Sequence, residues 1–294
     1  MKGNTRHLLF DIFLHGVMIL VGIVTLYPFL NVLAISLNDA IDSIRGGIYL
    51  WPRVFTLENY KQLLTYRNLG TAFRITILRT IVGTVLGVLS TAVVAYVMSR
   101  RDFIARKFVA GLFILTMYFS GGLIPDFMLV RKLGLMNNFW VYILPGLVNV
   151  WYVFVLRAYM YTLPAALEES AKLDGANDLV IFYRIVLPLC KPALAAISLF
   201  IAVIQWNSWF DTFIYTTSNP GLTTLQYEML RILRDVTSAS SGNMFALGRG
   251  NILRVTPESI RMAVTIVSTV PIVVVYPFLQ KYFVKGMTLG AVKS

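Results

Sequence analysis

A chain of 294 residues that is 57% hydrophobic and only 14% charged, with mean hydropathy +0.71, has too few polar groups to clothe a water-soluble globule of its size. Its net charge of +12 does not point to nucleic acid, because the basic residues are scattered between apolar blocks and form no continuous basic face with interleaved aromatics. One cysteine, Cys190, and two histidines, His7 and His15, exclude an internal disulfide and leave no Cys-rich or His-based metal site.

Lys2 and Arg6 followed by an apolar run have the outline of a signal peptide. The run is longer than an h-region and lacks a convincing small-residue cleavage site, so it is read as a retained first span. Six intervals are free of Asp, Glu, Lys and Arg: 12–38 (27 residues), 80–99 (20), 108–125 (18), 133–156 (24), 192–210 (19) and 262–280 (19). About 20 apolar residues cross a bilayer core as a helix, and backbone groups in lipid must pair within their own segment, so the expectation is an all-α integral membrane protein of six helices. Six crossings put both termini on one side. With the N-terminus inside, the 26 Lys and Arg divide evenly, 13 inside and 13 outside. The density of Arg100, Arg101, Arg106 and Lys107 in the short connection after the second span nevertheless favours both termini in the cytoplasm.

Pro28, Pro145, Pro271 and Pro277 each remove a backbone donor from a span and predict kinks. A moving pore and an ordinary bundle both accommodate them. No solenoid-type repeat is visible, and the two halves show no similarity of the inverted-repeat kind.

Between the fourth and fifth intervals, residues 162–188 are too long and too patterned for a plain connector. Pro164 suits a first helical turn, Glu168 and Glu169 favour a helix N-terminus, and Asp174-Gly175 reads as a turn with Gly175 free to take a positive φ. Asn177 suits the cap of a second short helix on which Leu179, Phe182, Tyr183 and Val186 form one apolar stripe, and Leu187-Pro188 is expected to end it. By pattern alone this is either a hairpin lying on the membrane or one that enters a groove on another protein.

The residues Glu169-Ser170-Ala171, Asp174-Gly175-Ala176 and Ile185-Val186-Leu187-Pro188 resemble the EAA motif of permease subunits in ATP-binding-cassette importers, with serine for the motif's first alanine at Ser170. The resemblance extends over nearly the whole chain and is strongest to maltose-type carbohydrate permeases, in the branch serving complex oligosaccharides and polysaccharides. Residues 47–60, before the second span, and the tail Gly286–Ser294 carry it further. It implies a type I importer permease fold in which 162–188 is a cytoplasmic coupling element. Glu169, Ser170, Ala171, Asp174, Gly175, Ala176, Phe182, Ile185, Leu187 and Pro188 are then ATPase-coupling residues, with Glu169 paired to a basic residue of the ATPase. Residues 1–70 would hold an N-terminal cytoplasmic segment, the first span and an external loop, 71–285 the five-helix transport domain, and 286–294 a cytoplasmic tail.

A sugar path needs aromatic faces for pyranose rings and amide or carboxylate groups for hydroxyls. Gln205, Trp206, Asn207, Trp209 and Asp211 near the end of the fifth interval, with Asn149 and Tyr152 in the fourth, are the substrate-path candidates. Trp206 and Trp209 also fit an interfacial aromatic belt, and Asn207 a bond to a neighbouring helix. Arg231, Arg234, Arg249 and Arg254 suit either a solvated surface or an acidic sugar polymer such as a uronate.

No Gly-Lys dipeptide occurs, so no phosphate-binding loop of the Gly-x-x-x-x-Gly-Lys type exists here. This chain is expected to bind no cofactor, with ATP and magnesium held by two partner ATPase subunits. A second homologous permease and an extracytoplasmic sugar-binding protein complete the implied assembly. The alternatives are an ion-coupled secondary sugar transporter, which needs charges inside the six intervals, and a membrane-embedded hydrolase, which needs a triad this chain lacks.

Overall fold

The computed structural model describes residues 2–66, 68–240 and 256–291. Among these the chain is helical, with one isolated antiparallel bridge between Asn38 and Phe55. The helices are α1 (Lys2–Ser36), α2 (Ala40–Ile44), α3 (Glu58–Thr65), α4 (Leu69–Ser99), α5 (Arg106–Tyr118), α6 (Leu123–Lys132), α7 (Val150–Met160), α8 (Ala165–Leu173), α9 (Asp178–Ile181), α10 (Leu187–Leu189), α11 (Lys191–Asn207), α12 (Phe210–Tyr215), α13 (Leu225–Ser240) and α14 (Pro257–Ala291). They form two compact units, one of residues 1–69 and 229–271, the other of 70–228 and 272–294.

In the first unit α1 is apolar all round, and large side chains such as Phe13, Leu20 and Phe29 stand exposed. That is the surface expected of a helix whose solvent is lipid. At its end, buried Asn59 donates to the carbonyls of Ser36 and Asn38, both at 2.9 Å, and Ser36 Oγ pairs with Tyr60 Oη at 2.7 Å. Asp39 caps α2, and Asp42 accepts from Asn38 Nδ2 and from Arg53 Nε, each at 3.0 Å. The Asn38 bond, then Arg53, hold the Asp42 carboxyl below the usual carboxylate range.

Three helices are long and apolar enough to cross a bilayer unbroken, within Phe10–Ser36, Leu69–Ser99 and Glu258–Val275. The other three expected spans are bent pairs. α5 and α6 meet at 118°, because Ser120-Gly121-Gly122 follow α5 and Gly122 takes φ +86°, a conformation other residues resist. The fourth span bends by 51° between the 3-10 turns at Phe139–Gly146 and α7. Pro145 sits in that bend, while Pro28 and Pro271 lie within helices that run on. The exposed backbone at the bend is satisfied from nearby: Ser90 Oγ donates to the Leu147 carbonyl at 2.6 Å, and Asn149 Oδ1 accepts from the amides of Trp151 and Tyr152. The segment Asp178–Leu189 meets α11 at 79°, so the fifth interval is carried by α11 and the bend leads back into residues 162–188.

Without water to drive apolar association, membrane helices pack through small residues that allow close approach. α4 supplies them in the second unit. A Cβ at Gly83 would lie 2.6 Å from Gln205 Nε2, and one at Gly87 would lie 3.3 Å from Ile201 Cδ1, so two glycines four apart receive two α11 side chains four apart. Further along α4, Ala92, Ala95, Tyr96 and Met98 are buried with Tyr152, Val153, Leu156 and Met160 of α7 and with Ile181, Phe182 and Val186.

α4 is longer than the interval 80–99, and the extra turns bring Arg79 into the protein instead of leaving it at a wet span end. Arg79 is 2% exposed. It forks onto Asp211 (3.1 and 2.5 Å), donates through Nε to Gln205 Oε1 (3.0 Å) and lies 4.4 Å over the Tyr142 ring. Tyr142 Oη in turn donates to the Leu222 carbonyl at 2.6 Å, and Thr212 Oγ1 pairs with Thr224 Oγ1 at 2.8 Å. A planar guanidinium that forks onto Asp211 while also meeting Gln205 and Tyr142 ties α4 to α11 and α12, a bidentate geometry that a lysine ammonium lacks. Arg79→Gln strands Asp211 beside buried groups and is expected to destabilise the detergent-purified protein by about 3 kcal/mol, read as a lowered thermal midpoint. The apolar pair Arg79→Met with Asp211→Leu is expected to cost less, because no uncompensated charge remains.

Candidate functional site

The segment after α7 folds as the expected hairpin. Pro164 stands one residue outside α8, Gly175 has φ +79°, and Asn177 Oδ1 accepts from the Val180 amide at 2.9 Å as the cap of α9. Gly175 N bonds the Lys172 carbonyl and Ala176 N the Ala171 carbonyl, which closes α8 with its glycine in the left-handed region.

Two local expectations are corrected. The predicted stripe divides: Phe182 and Val186 are buried in the chain's own core, with Phe182 packed 4.9 Å from the Tyr96 ring, whereas Leu179 and Tyr183 are exposed. Phe182 and Val186, four apart, share the face turned to the core, while Leu179 and Tyr183 fall outside it; a π-helical turn spans Phe182–Val186. Nor does Leu187-Pro188 itself end the helix, which runs one residue further to Leu189, with the turn into α11 at Cys190.

Of the residues singled out on the hairpin, Glu169, Ser170, Asp174, Gly175 and Pro188 are exposed, Ala176, Ile185 and Leu187 are half-buried, and Ala171 and Phe182 are buried. Glu168 behaves differently from its neighbour Glu169. It pairs with Arg100, just beyond α4, which also pairs with Asp178 Oδ1 at 2.9 Å. Neither Glu168 nor Asp178 stands out in a motif search, and Arg100 enters the sequence reading only as local charge density.

The second set of candidates separates in space. Asn149, Tyr152 and Gln205 line one cavity of about 150 Å³ together with Thr91. Asn149 and Tyr152 also border an adjoining hollow of about 370 Å³ with Trp151 and Phe200. Tyr152 and Phe200 lie parallel, 3° apart with centroids 6.3 Å apart, and Trp151 stands edge-on to Tyr152. Thr91 is 1% exposed and its Oγ1 has no hydrogen-bond partner among the described residues. This residue escapes the sequence reading because nothing distinguishes it from the other threonines of α4. The arrangement offers an aromatic face beside a hydroxyl and an amide, groups that together accommodate a ring bearing several hydroxyls.

Trp206, Asn207, Trp209 and Asp211 are not among the residues lining these two cavities and meet neighbouring groups instead. Trp206 is buried edge-on to Phe73 at 6.0 Å, Asn207 bonds the Val203 carbonyl and Gln226, Trp209 packs against Phe210 at the start of α12, and Asp211 is held by Arg79. Arg231 and Arg234 are exposed on α13, while Arg249, Arg254 and the end of the tail, 292–294, lie outside the described residues.

Residues 8–289 match the family model described as the binding-protein-dependent transport system inner membrane component. The chain is 37% identical over 290 residues to the polygalacturonan/rhamnogalacturonan transport system permease protein YtcP of Bacillus subtilis (98% of this chain, 100% of that one). It is 31% identical to the arabinooligosaccharides transport system permease protein AraQ of Halalkalibacterium halodurans (93% of each). Among solved structures it resembles a bacterial ABC transporter involved in the import of the acidic polysaccharide alginate, with a TM-score of 0.81 and 26% identity over 94% of this chain and 96% of the other. These matches, the apolar helices and the six spans counted with their bends leave one assignment. The chain belongs to the inner membrane components of binding-protein-dependent transport systems, and is a multi-pass permease subunit of an ABC importer, not an enzyme or an ion-coupled carrier.

Proposed function

We propose that this chain is one half of the membrane core of an ATP-driven importer of oligosaccharides or polysaccharides, with uronate-containing chains as the favoured substrate. The single observation that carries the coupling part is the hairpin's glycine corner, Gly175 at φ +79°, whose flanking segments leave Glu169, Leu173, Leu179 and Tyr183 exposed. An exposed acid amid exposed apolar side chains suits a groove on a soluble subunit. Its sequence likeness to the EAA motif supports the ATPase as occupant. In this reading residues 162–188 and both termini are cytoplasmic, and two partner ATPases hold ATP and magnesium. A second, different permease forms the other half of the core, and an extracytoplasmic binding protein delivers the sugar. ATPase closure moves the hairpin, and the bundle switches the side to which it opens.

The cavity of Thr91, Asn149, Tyr152 and Gln205 is assigned to the substrate path. Thr91 lies about 18 Å along α4 from Arg79 and about 14 Å from Arg100 at 1.5 Å per residue, near the middle of a bilayer core. The bend of the fourth span supports this, because irregular backbone at membrane depth belongs where it lines a cavity. The names of the relatives support pectic or other acidic saccharides as cargo.

In the assembled importer, Gly175→Val is expected to strain the corner by about 1–3 kcal/mol while all spans still insert. Transport and substrate-stimulated ATP hydrolysis should fall together, and Glu169→Lys should reduce co-purification of the ATPase. Normal stimulated hydrolysis in both variants overturns the coupling role. For the path, Thr91→Val removes one hydrogen bond worth about 0.5–1.5 kcal/mol. It is expected to raise the KM for oligogalacturonide uptake by roughly two- to tenfold with the thermal midpoint unchanged, measured in proteoliposomes.

A further inference from the structure

Arg100 stands where three helix ends converge. α4 ends at Ser99, and a cation just past it complements the negative end of the helix dipole. Glu168 lies in the first turn of α8 and Asp178 is the first residue of α9, so both acids sit at positive helix ends. The two are on opposite sides of the Gly175 corner, and one guanidinium bonds them both.

The same side chain is fixed from a third direction. It lies 4.4 Å over the Tyr96 ring and donates to Tyr96 Oη, which donates onward to the Asp178 carbonyl at 3.1 Å. Arg100 is only 12% exposed at its side chain, whereas Glu168 and Asp178 keep 34% and 63%, so the guanidinium is enclosed while its acids stay within reach of water. The two arms differ in their other attachments. α9 and the turn after it bury Ile181, Phe182 and Val186 in the core, whereas α8 buries only Ala171. Lys172 reaches Asp178 at 3.8 Å, but that pair stays within the hairpin. Among the described residues, the Glu168–Arg100 pair is therefore the one ion pair joining α8 to the helical bundle.

We propose that Arg100 is a positioning residue for energy coupling: it clamps both arms of the hairpin to the end of α4, so that displacement of α8 is passed to α4 and from there to the Gly83–Gly87 face against α11. This rests on the reading of 162–188 as the ATPase-coupling element. The clamp adds a polar linkage to the α9 packing, and a charged fork transmits both push and pull because its bonds are directional.

The test uses the complete importer, with its second permease, ATPases and binding protein, in proteoliposomes. Arg100→Gln retains much of the length and removes the charge. It is expected to leave assembly, thermal midpoint and basal ATP hydrolysis nearly unchanged while the stimulation by loaded binding protein falls by about tenfold. The exchange Arg100→Glu with Glu168→Arg is expected to restore at least part of that stimulation, and Glu168→Gln alone to lose it. Full stimulation in Arg100→Gln overturns the proposal. So does an equal fall in basal and stimulated hydrolysis, or failure of the variants to assemble, since either makes Arg100 a folding residue only. Failure of the underlying reading looks different, because Gly175→Val and Glu169→Lys would then also keep normal stimulated hydrolysis, whereas failure of the Arg100 proposal alone leaves those two variants impaired.

Discussion

In the hydrocarbon of a bilayer no water is available to satisfy a backbone group or a charge, and the architecture of this chain follows from that shortage. The bend of the fourth span carries its own internal partners, with Ser90 serving the Leu147 carbonyl and Asn149 capping α7, and in the hairpin Asn177 caps α9. Where no polar partner is needed, α4 presents glycine and alanine and the neighbouring helices close in.

α4 also organises charge. Arg79 and Arg100 are 21 residues apart, about 31 Å along a helix, close to the thickness of a bilayer core. Each is withdrawn from solvent and forked onto acids that lie far away in sequence, Asp211 for the first, Glu168 and Asp178 for the second. One network fixes the turns after α11, the other the hairpin before it. Between them lies the apolar length of α4, with Thr91 facing the cavity assigned to the substrate. A rigid rod tied at both levels is suited to relay a displacement at one end to the packing at the other, as the proposed switch of access requires.

The division of the hairpin into a buried and an exposed face gives it two duties. Phe182 and Val186 anchor it to the permease, and Leu173, Leu179 and Tyr183 remain available to the proposed ATPase groove. Neighbouring glutamates divide in the same manner, with Glu168 turned to Arg100 and Glu169 exposed. Adjacent residues on a helix differ by about 100° in direction, so of two acids side by side one meets Arg100 and the other faces outward.

Local chemistry was legible in the amino-acid order: the charge-free intervals, the positive φ of Gly175, the cap at Asn177, the kink at Pro145 and the membership of the transporter family. These depend on a residue's own stereochemistry or on runs of one polarity, which the chain carries with it before it folds. The bends near Tyr118 and Cys190, the burial of Phe182, the partners of Arg79 and Arg100 and the placement of Thr91 at a cavity depended on the tertiary structure. Asp211 is 132 positions from Arg79 and Glu168 is 68 from Arg100, so no window along the chain holds both ends of either pair. The sorting of Asn149, Tyr152 and Gln205 toward a cavity, and of Trp206 and Asp211 toward packing, was decided in the same way. Which face of a helix meets a partner depends on where the other helices come to rest, because in lipid apolar composition no longer distinguishes inside from outside.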